Sequence, residues 1–456
     1  MEFLPDCLIH HIFSYLPLED VLKTSLLCRR WRYAWTVAAT HLTFDGKIVN
    51  RFRNNVDYTS FVDSILTRCI SPKVKTFHLT NLRYNERVRS KLDSWLKIVE
   101  ERFVEEIRLS FFSPFLYGLP ASLYRLSSLA SLEVSSCCFS LDAPISWPHL
   151  KFLSFENVKL SEDVLKAIFM GSPLLESLKL CECRSLKNIL IDAPSLKLLV
   201  LVSTNFFIVE NIWAPHLLSL RVSGDWWPSS NFRLDNVSSL VEAQLDFVFP
   251  PDEIRTDGTR RQCYFVKQLL EKLCGVRTIA INSWCLQALS VLEMEDEPAL
   301  LSKCQNLILH PGISQWDLPG IAYMLRSSQC LEILDIRLTG DRCLKLKLDK
   351  ESRGRFYFDE EDFWCSRKGN FQLLAEHLKR VEIAGLEAHS FGLKYLHALV
   401  KFVLGDIRVL EKVIIKADQC TQHGQESLQA DVLSELLGVN GNLLGYGRAS
   451  KMLKLL

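Results

Sequence analysis

Four cysteines, Cys137, Cys138, Cys181 and Cys183, come nearest in this sequence to a metal-ligand set. Thiolates usually hold zinc in C-x-x-C pairs, a spacing that lets both sulfurs reach one tetrahedral centre. Here one pair is adjacent and the other is one residue apart, so no metal centre is expected. The carboxylates of "DEEDFWC", from 359, offer acid or base groups, but paired catalytic carboxylates need apposed positions in a cleft. That run reads instead as a solvated loop. His10 and His11 fall inside a helical pattern, and no glycine-rich phosphate loop, G-x-S-x-G elbow or H-E-x-x-H helix occurs. Neither a catalytic residue nor a cofactor is expected.

The remaining chemical candidate is "LCRRWRYAW", residues 27–35, where Arg29, Arg30 and Arg32 surround Trp31. Basic residues with an aromatic between them suit single-stranded nucleic acid. Lys plus Arg number 54 and Asp plus Glu 53, however, so no general basic field would gather nucleic acid or an anionic membrane. A protein partner is the better expectation, with Trp31 as a core anchor and the arginines on its rim. The apolar fraction of 48% is that of a folded chain. At 456 residues, several domains or a repeat architecture are expected. The N-terminus lacks the basic leader and cleavage site of a secretory signal, and no run reaches the roughly 20 apolar residues of a spanning helix. A soluble protein of nucleus or cytoplasm is expected, with its 15 cysteines reduced.

The elements that position "LCRRWRYAW" are legible upstream. In "PDCLIHHIFSYLP", Leu8, Ile9, Ile12, Phe13 and Leu16 recur at helical intervals between two prolines. "LEDVLKTSLLC" begins with Glu19 and Asp20, suited to a helix N-terminus, and carries Val21 and Leu22 on one face. A third helix would carry "RRWRYAW". Three such helices bury little surface, so some apolar surface should remain for a partner.

From residue 74 an L-x-x-L-x-L pattern recurs thirteen times, from "VKTFHL" through "LASLEV" at 129 and "LESLKL" at 175 to "LEKVII" at 410. Between 129 and 240 the copies start 21, 25, 21, 21 and 23 residues apart, the period of leucine-rich repeats. Later intervals stretch to between 27 and 47 residues. The last two apolar positions of each copy are two apart and would point inward from a short strand. "SEDVLKAIFMG", "YFVKQLLEKLCG" and "GIAYMLRSS" read as returning helices. The expected fold is α/β: a three-helix domain, then a leucine-rich-repeat solenoid shaped as a horseshoe or arc. The residue between the inward positions should face the concave sheet: Arg108, Glu133, Ser154, Lys179, Val200, Arg221, Gln244, Ala280, Ile308, Asp335, Glu382 and Ile414. Of these, Arg108, Glu133, Lys179, Arg221, Gln244 and Asp335 are the candidate target contacts, a mixed set suited to protein or peptide.

"LPDCLIHHIFSYLPLEDVLKTSLLCRRWRYAW" resembles an F-box, with Leu4, Pro5, Leu8, Ile12, Leu16, Pro17, Val21, Ser25, Cys28, Arg30 and Trp31 matching in order. "YGLPASLYRLSSLASLEVSSCCF", "GSPLLESLKLCEC" and "WAPHLLSLRVSGD" resemble phrases of a plant F-box subgroup. "LKRVEI", a helix from Gly392 to Leu404 and "VLEKVII" resemble that subgroup's closing FBD domain. The resemblance implies a substrate receptor of a Skp–cullin–F-box ubiquitin ligase, divided as F-box 1–45, repeats 46–375, and FBD with cap 376–456. It implies binding to a Skp-type adaptor, and through it to cullin, with Leu4, Pro5, Leu8, Ile9, Ile12, Leu16, Val21 and Trp31 as contact or supporting residues. The target protein stays unnamed. A hormone co-receptor and a non-ligase scaffold are the alternatives, although the concave residues gather no cluster of Lys and Arg for an inositol polyphosphate.

Overall fold

A computed structural model describes residues 4–45, 52, 55–140, 143–183, 185–203, 209–225, 232–248, 256–312, 314–338, 354, 357–386, 393–407, 409–417 and 453–455. The chain divides into two units, the first chiefly 1–217 and the second chiefly 218–456.

The first unit opens with α1 (Asp6–Phe13), α2 (Leu18–Thr24) and α3 (Trp31–Ala38). Pro5 and Pro17 occupy the N-cap positions of α1 and α2, where a missing N–H costs nothing. Ile9, Phe13, Leu18, Val21, Trp31 and Trp35 are buried, and the Phe13 and Trp31 rings meet edge to face at 5.4 Å. An Arg30–Asp6 ion pair ties the entry of α3 to the start of α1.

A parallel ladder follows. Its strands are His41–Phe44, Thr76–Leu82, Glu106–Phe111, Ser131–Ser135, Phe152–Glu156, Ser177–Cys181 and Leu198–Ser203, each paired with the next. The helices Asn55–Arg68, Glu86–Glu100 and Glu162–Gly171 return the chain between strands. Ile107, Leu132, Leu153, Leu178 and Leu199 share one register row, and Leu109, Val134, Phe155, Leu180 and Leu201 the next but one. All ten are buried, giving one continuous apolar seam. Sequence reading starts the ladder at "VKTFHL"; the strand at His41 precedes it and shows only Leu42 and Phe44 as an inward pair.

Each middle repeat turns in the same way. Ser136, Asn157 and Glu182 follow their strands with left-handed φ of 57, 50 and 52°. Their N–H groups donate to the carbonyls of Glu156, Cys181 and Val202 on the next strand, at 2.9, 2.9 and 3.0 Å. The chain then dips inward, burying Cys137, Val158 and Cys183.

The second unit carries the strands Ser219–Asp225, Glu242–Val248, Thr278–Asn282, Asn306–His310, Ile333–Arg337, Arg380–Leu386, Lys412–Ala417 and Leu453–Leu455, again parallel in sequence order. The expected helices at "YFVKQLLEKLCG" and "GIAYMLRSS" are present as Thr256–Lys272 and Leu318–Ser327. Ser283–Met294 is a further helix, buried from Trp284 through Glu293. It shows no amphipathic stripe because it has no wet face.

One expectation is overturned. "DEEDFWC" is no solvated loop: Glu360–Arg367 is a helix whose acidic residues lie in its first turn. The Asp362 N–H donates to Asp359 Oδ1 at 3.1 Å, and Phe363 and Trp364 are buried. Trp364 stacks on Phe402 of helix Leu393–Asp406, with centroids 4.6 Å apart, and that burial holds the segment helical. Of the FBD-like stretch, "LKRVEI" and "VLEKVII" form ladder strands, whereas Gly392 and most of the tail after Ala417 lie outside the described residues. Among the described residues no helix is long and apolar enough to cross a membrane.

Candidate functional site

Exposure sorts the helical candidates. Ile9, Val21 and Trp31 are buried and act as framework; they are not open to an adaptor in this form. Pro5, Leu8 and Ile12 are exposed, and Leu4 and Leu16 are partly so. Leu8 and Ile12 lie four apart and so share one face of α1. Tyr15, Leu26, Leu27, Tyr33 and Val37 are exposed too, with Leu26 86% accessible. Sequence reasoning names none of these five as a contact, because spacing marks which residues can share a face and not which face is left uncovered.

In the ladder of the first unit, the residues between inward positions form one row: Thr43, His78, Arg108, Glu133, Ser154, Lys179 and Val200 are successive register partners. Thr43 and His78 extend the expected row by two strands. In the second unit the row runs Arg221, Gln244, Ala280, Ile308, Asp335, Glu382, Ile414 and Lys454. Two expected positions are not open: Ala280 and Ile414 are buried. Ala280 is short beside Gln244 and Ile308, which shade it, and Ile414 lies beside the longer side chain of Glu382.

The charges on these rows are largely paired on the spot. Arg108 meets Glu133 at 2.6 Å, Arg221 meets Glu242 at 3.5 Å, and Arg337 meets Asp335 at 2.7 Å. Arg380 is held by Glu382 in the same manner. Exposed pairs of this kind contribute little stability, and they present a pattern of charge with no net field. His78 is pushed below the ordinary imidazole range by burial and by Arg108, against the pull of Glu106 at 3.3 Å. His310 is lowered by burial and by Arg337.

Two of the four cysteine thiols, those of Cys137 and Cys183, are engaged by their own turns. Cys137 Sγ lies 3.4 Å from the Ser135 carbonyl, and Cys183 Sγ lies 3.6 Å from that of Cys181. Burial raises the Cys137 thiol well above its ordinary value and pushes Cys183 up to about 12, so neither is a thiolate near neutrality. Among the described residues no group of three or more His, Cys, Asp or Glu is placed to hold a metal ion.

The F-box domain family matches residues 1–37, and the leucine-rich-repeat family described for FBD-associated F-box protein At5g56370 matches residues 92–240. The chain is 30% identical to the Arabidopsis thaliana F-box/LRR-repeat protein At3g03360, over 74% of this chain and 70% of that protein. It is 32% identical to F-box/LRR-repeat protein At5g02910 of the same plant, over 73% of this chain and 70% of that one. A longer match, to putative F-box/LRR-repeat protein At5g02930 of Arabidopsis thaliana, has 25% identity over 91% of this chain and 87% of the relative. Helices around a buried Trp31, a parallel ladder of leucine-rich strands and these matches place the chain in the family of F-box/LRR-repeat proteins.

Proposed function

We propose that this chain is the substrate-recognition subunit of a Skp–cullin–F-box ubiquitin ligase. The supporting observation is apolar surface left open on an otherwise complete helical domain: Ile9, Val21 and Trp31 fill its core while Leu8, Ile12 and Leu26 stay exposed. Apolar surface of that kind on a small domain suits a protein partner, here a Skp-type adaptor that links to cullin. The F-box would comprise 1–45, the repeats 46–375, and the FBD region with its cap 376–456. Arg108, Glu133 and Lys179 in the first unit, and Arg221, Gln244 and Asp335 in the second, would meet the target. The chain would contribute proximity and no catalytic group, holding the target where a ubiquitin-charged enzyme can reach it.

The test is capture of a plant Skp-type adaptor by the purified full-length chain, beside the doubly substituted Leu8→Asp, Ile12→Asp form. Both side chains are exposed, so the variant should keep its fold. Capture by the unaltered chain and loss by the folded variant is the expected result. Absence of capture by the folded, unaltered chain would refute the ligase reading.

A further inference from the structure

The open face of the first unit changes character at its last strand. On every earlier strand the outward positions include polar or charged groups: Glu106, Arg108 and Ser110, then Ser131, Glu133 and Ser135, then Ser154 and Glu156, then Ser177 and Lys179. On Leu198–Ser203 the outward positions are Leu198, Val200 and Val202, all aliphatic and all partly open. Their inward neighbours Leu199 and Leu201 fill the core, while the outer three stay partly open on the opposite face of the strand. An aliphatic side chain left partly wet gives up stabilisation that burial under a partner would recover.

The register defines the surroundings of the stripe. Leu198 pairs with Ser177, Val200 with Lys179, and Val202 with Cys181. Phe152, also partly open, lies beyond Ser177 in the same row. Lys179 is exposed and has no ion-pair partner among the described residues, whereas Arg108 on this face is matched by Glu133 and Lys197 below it by Glu176. Glu156, likewise without an ion-pair partner among the described residues, sits level with Cys181 toward the strand ends and disfavours a carboxylate there. An incoming acid is therefore directed to the level of Lys179.

We infer that the face formed by Leu198, Val200, Val202 and Lys179 is a docking site for an extended peptide segment of a target protein, with alternate aliphatic side chains and a flanking Asp or Glu. Successive outward side chains of a strand lie about 6.8 Å apart, which is also the spacing of alternate side chains on an extended peptide. The stripe and its ligand therefore share one period. The Lys179 ammonium supplies the charge that selects acid over base. The inference refines the target-recognition half of the function proposed above and is independent of the adaptor half.

The experiment is selection from a library of random nine-residue peptides displayed on phage, against the immobilised full-length chain and two variants, Val200→Asp and Lys179→Glu. Adaptor capture is read on the same preparations. The expected result is enrichment of peptides bearing two aliphatic residues two apart with a nearby Asp or Glu. Val200→Asp should lower capture about tenfold or more, and Lys179→Glu should turn the preference from acidic to basic. Should Val200→Asp fail to fold, the exposed Lys179→Glu substitution decides alone. No enrichment, or enrichment that leaves the charge preference of Lys179→Glu unchanged, overturns the inference while adaptor capture stands. Peptide capture without adaptor binding leaves the inference and removes the ligase reading.

Discussion

Glu293 and Arg326 meet at 2.7 Å between two neighbouring helices of the second unit, with only 4% of the Glu293 side chain accessible. Arg367, from the helix that begins with the acidic run, closes on the other carboxylate oxygen at 3.3 Å and lies over the Phe363 ring. Arg326 also donates to the Glu297 carbonyl at 2.8 Å. One carboxylate thus fastens three helices.

Removing that carboxylate leaves two largely buried guanidinium groups without their shared partner. Glu293→Ala should lower unfolding free energy by about 3–5 kcal/mol. Urea denaturation of the second unit's transition measures it, and a loss under about 0.5 kcal/mol would show the three charges to be solvated.

The lowered imidazoles give stability a definite pH dependence. His78 and His310 stay neutral in the folded chain to lower pH than they do unfolded, where protonation occurs near 6.5. Below that value the unfolded state binds more protons, so their contribution is complete above about 6.5 and is lost as pH falls toward the folded values. The urea midpoint should therefore drop between pH 7.5 and 5.5, with a shallower drop in the His78→Gln, His310→Gln variant. Equal slopes for the two proteins would rule these histidines out as the cause.

Gly320 allows two helices to touch. A Cβ there would lie 2.0 Å from the Leu286 carbonyl oxygen, and the Gly320 N–H donates to Ser290 Oγ at 2.6 Å. Gly320→Ala should destabilise by about 1–3 kcal/mol despite the better helix propensity of alanine. A thermal midpoint equal to that of the unaltered chain would mean the helices part without penalty.

Phe103 follows the helix Glu86–Glu100 with a φ of 54° and an exposed ring. A left-handed residue past a helix end is normally glycine or asparagine. Phe103→Gly should raise stability by roughly 0.5–1 kcal/mol. A decrease of that size instead would indicate that the ring contributes contacts worth more than the strain.

The ladder was readable because its signal is repeated and simple: two leucine-like residues two apart fix a strand, its inward face and its register. The same rule located Arg108, Glu133 and Lys179 on one row. It failed at Ala280 and Ile414, because spacing reports direction and not the length of neighbouring side chains. Ser283–Met294 escaped notice for the opposite reason, as an all-buried helix has no polar face to set its period. Charge composition of the acidic run at 359 does not by itself identify the helix Glu360–Arg367, because it ignores that Trp364, five residues on, finds an aromatic partner in Phe402. In the helical domain, Pro5 and Pro17 marked the starts, yet only packing separated buried Ile9 from exposed Leu8.

The alternation of inward and outward residues has a consequence for how such a protein diversifies. Leu178 and Leu180 hold their strand in the seam, while Ser177 and Lys179 between and beside them carry no part of that task. A mutation at an outward position changes the chemistry of the open face and leaves folding nearly untouched. The outward positions of the strands make the surface a set of separately adjustable letters. Duplicated copies of the chain can then diverge in the chemistry of that face by single substitutions, each within a folded protein.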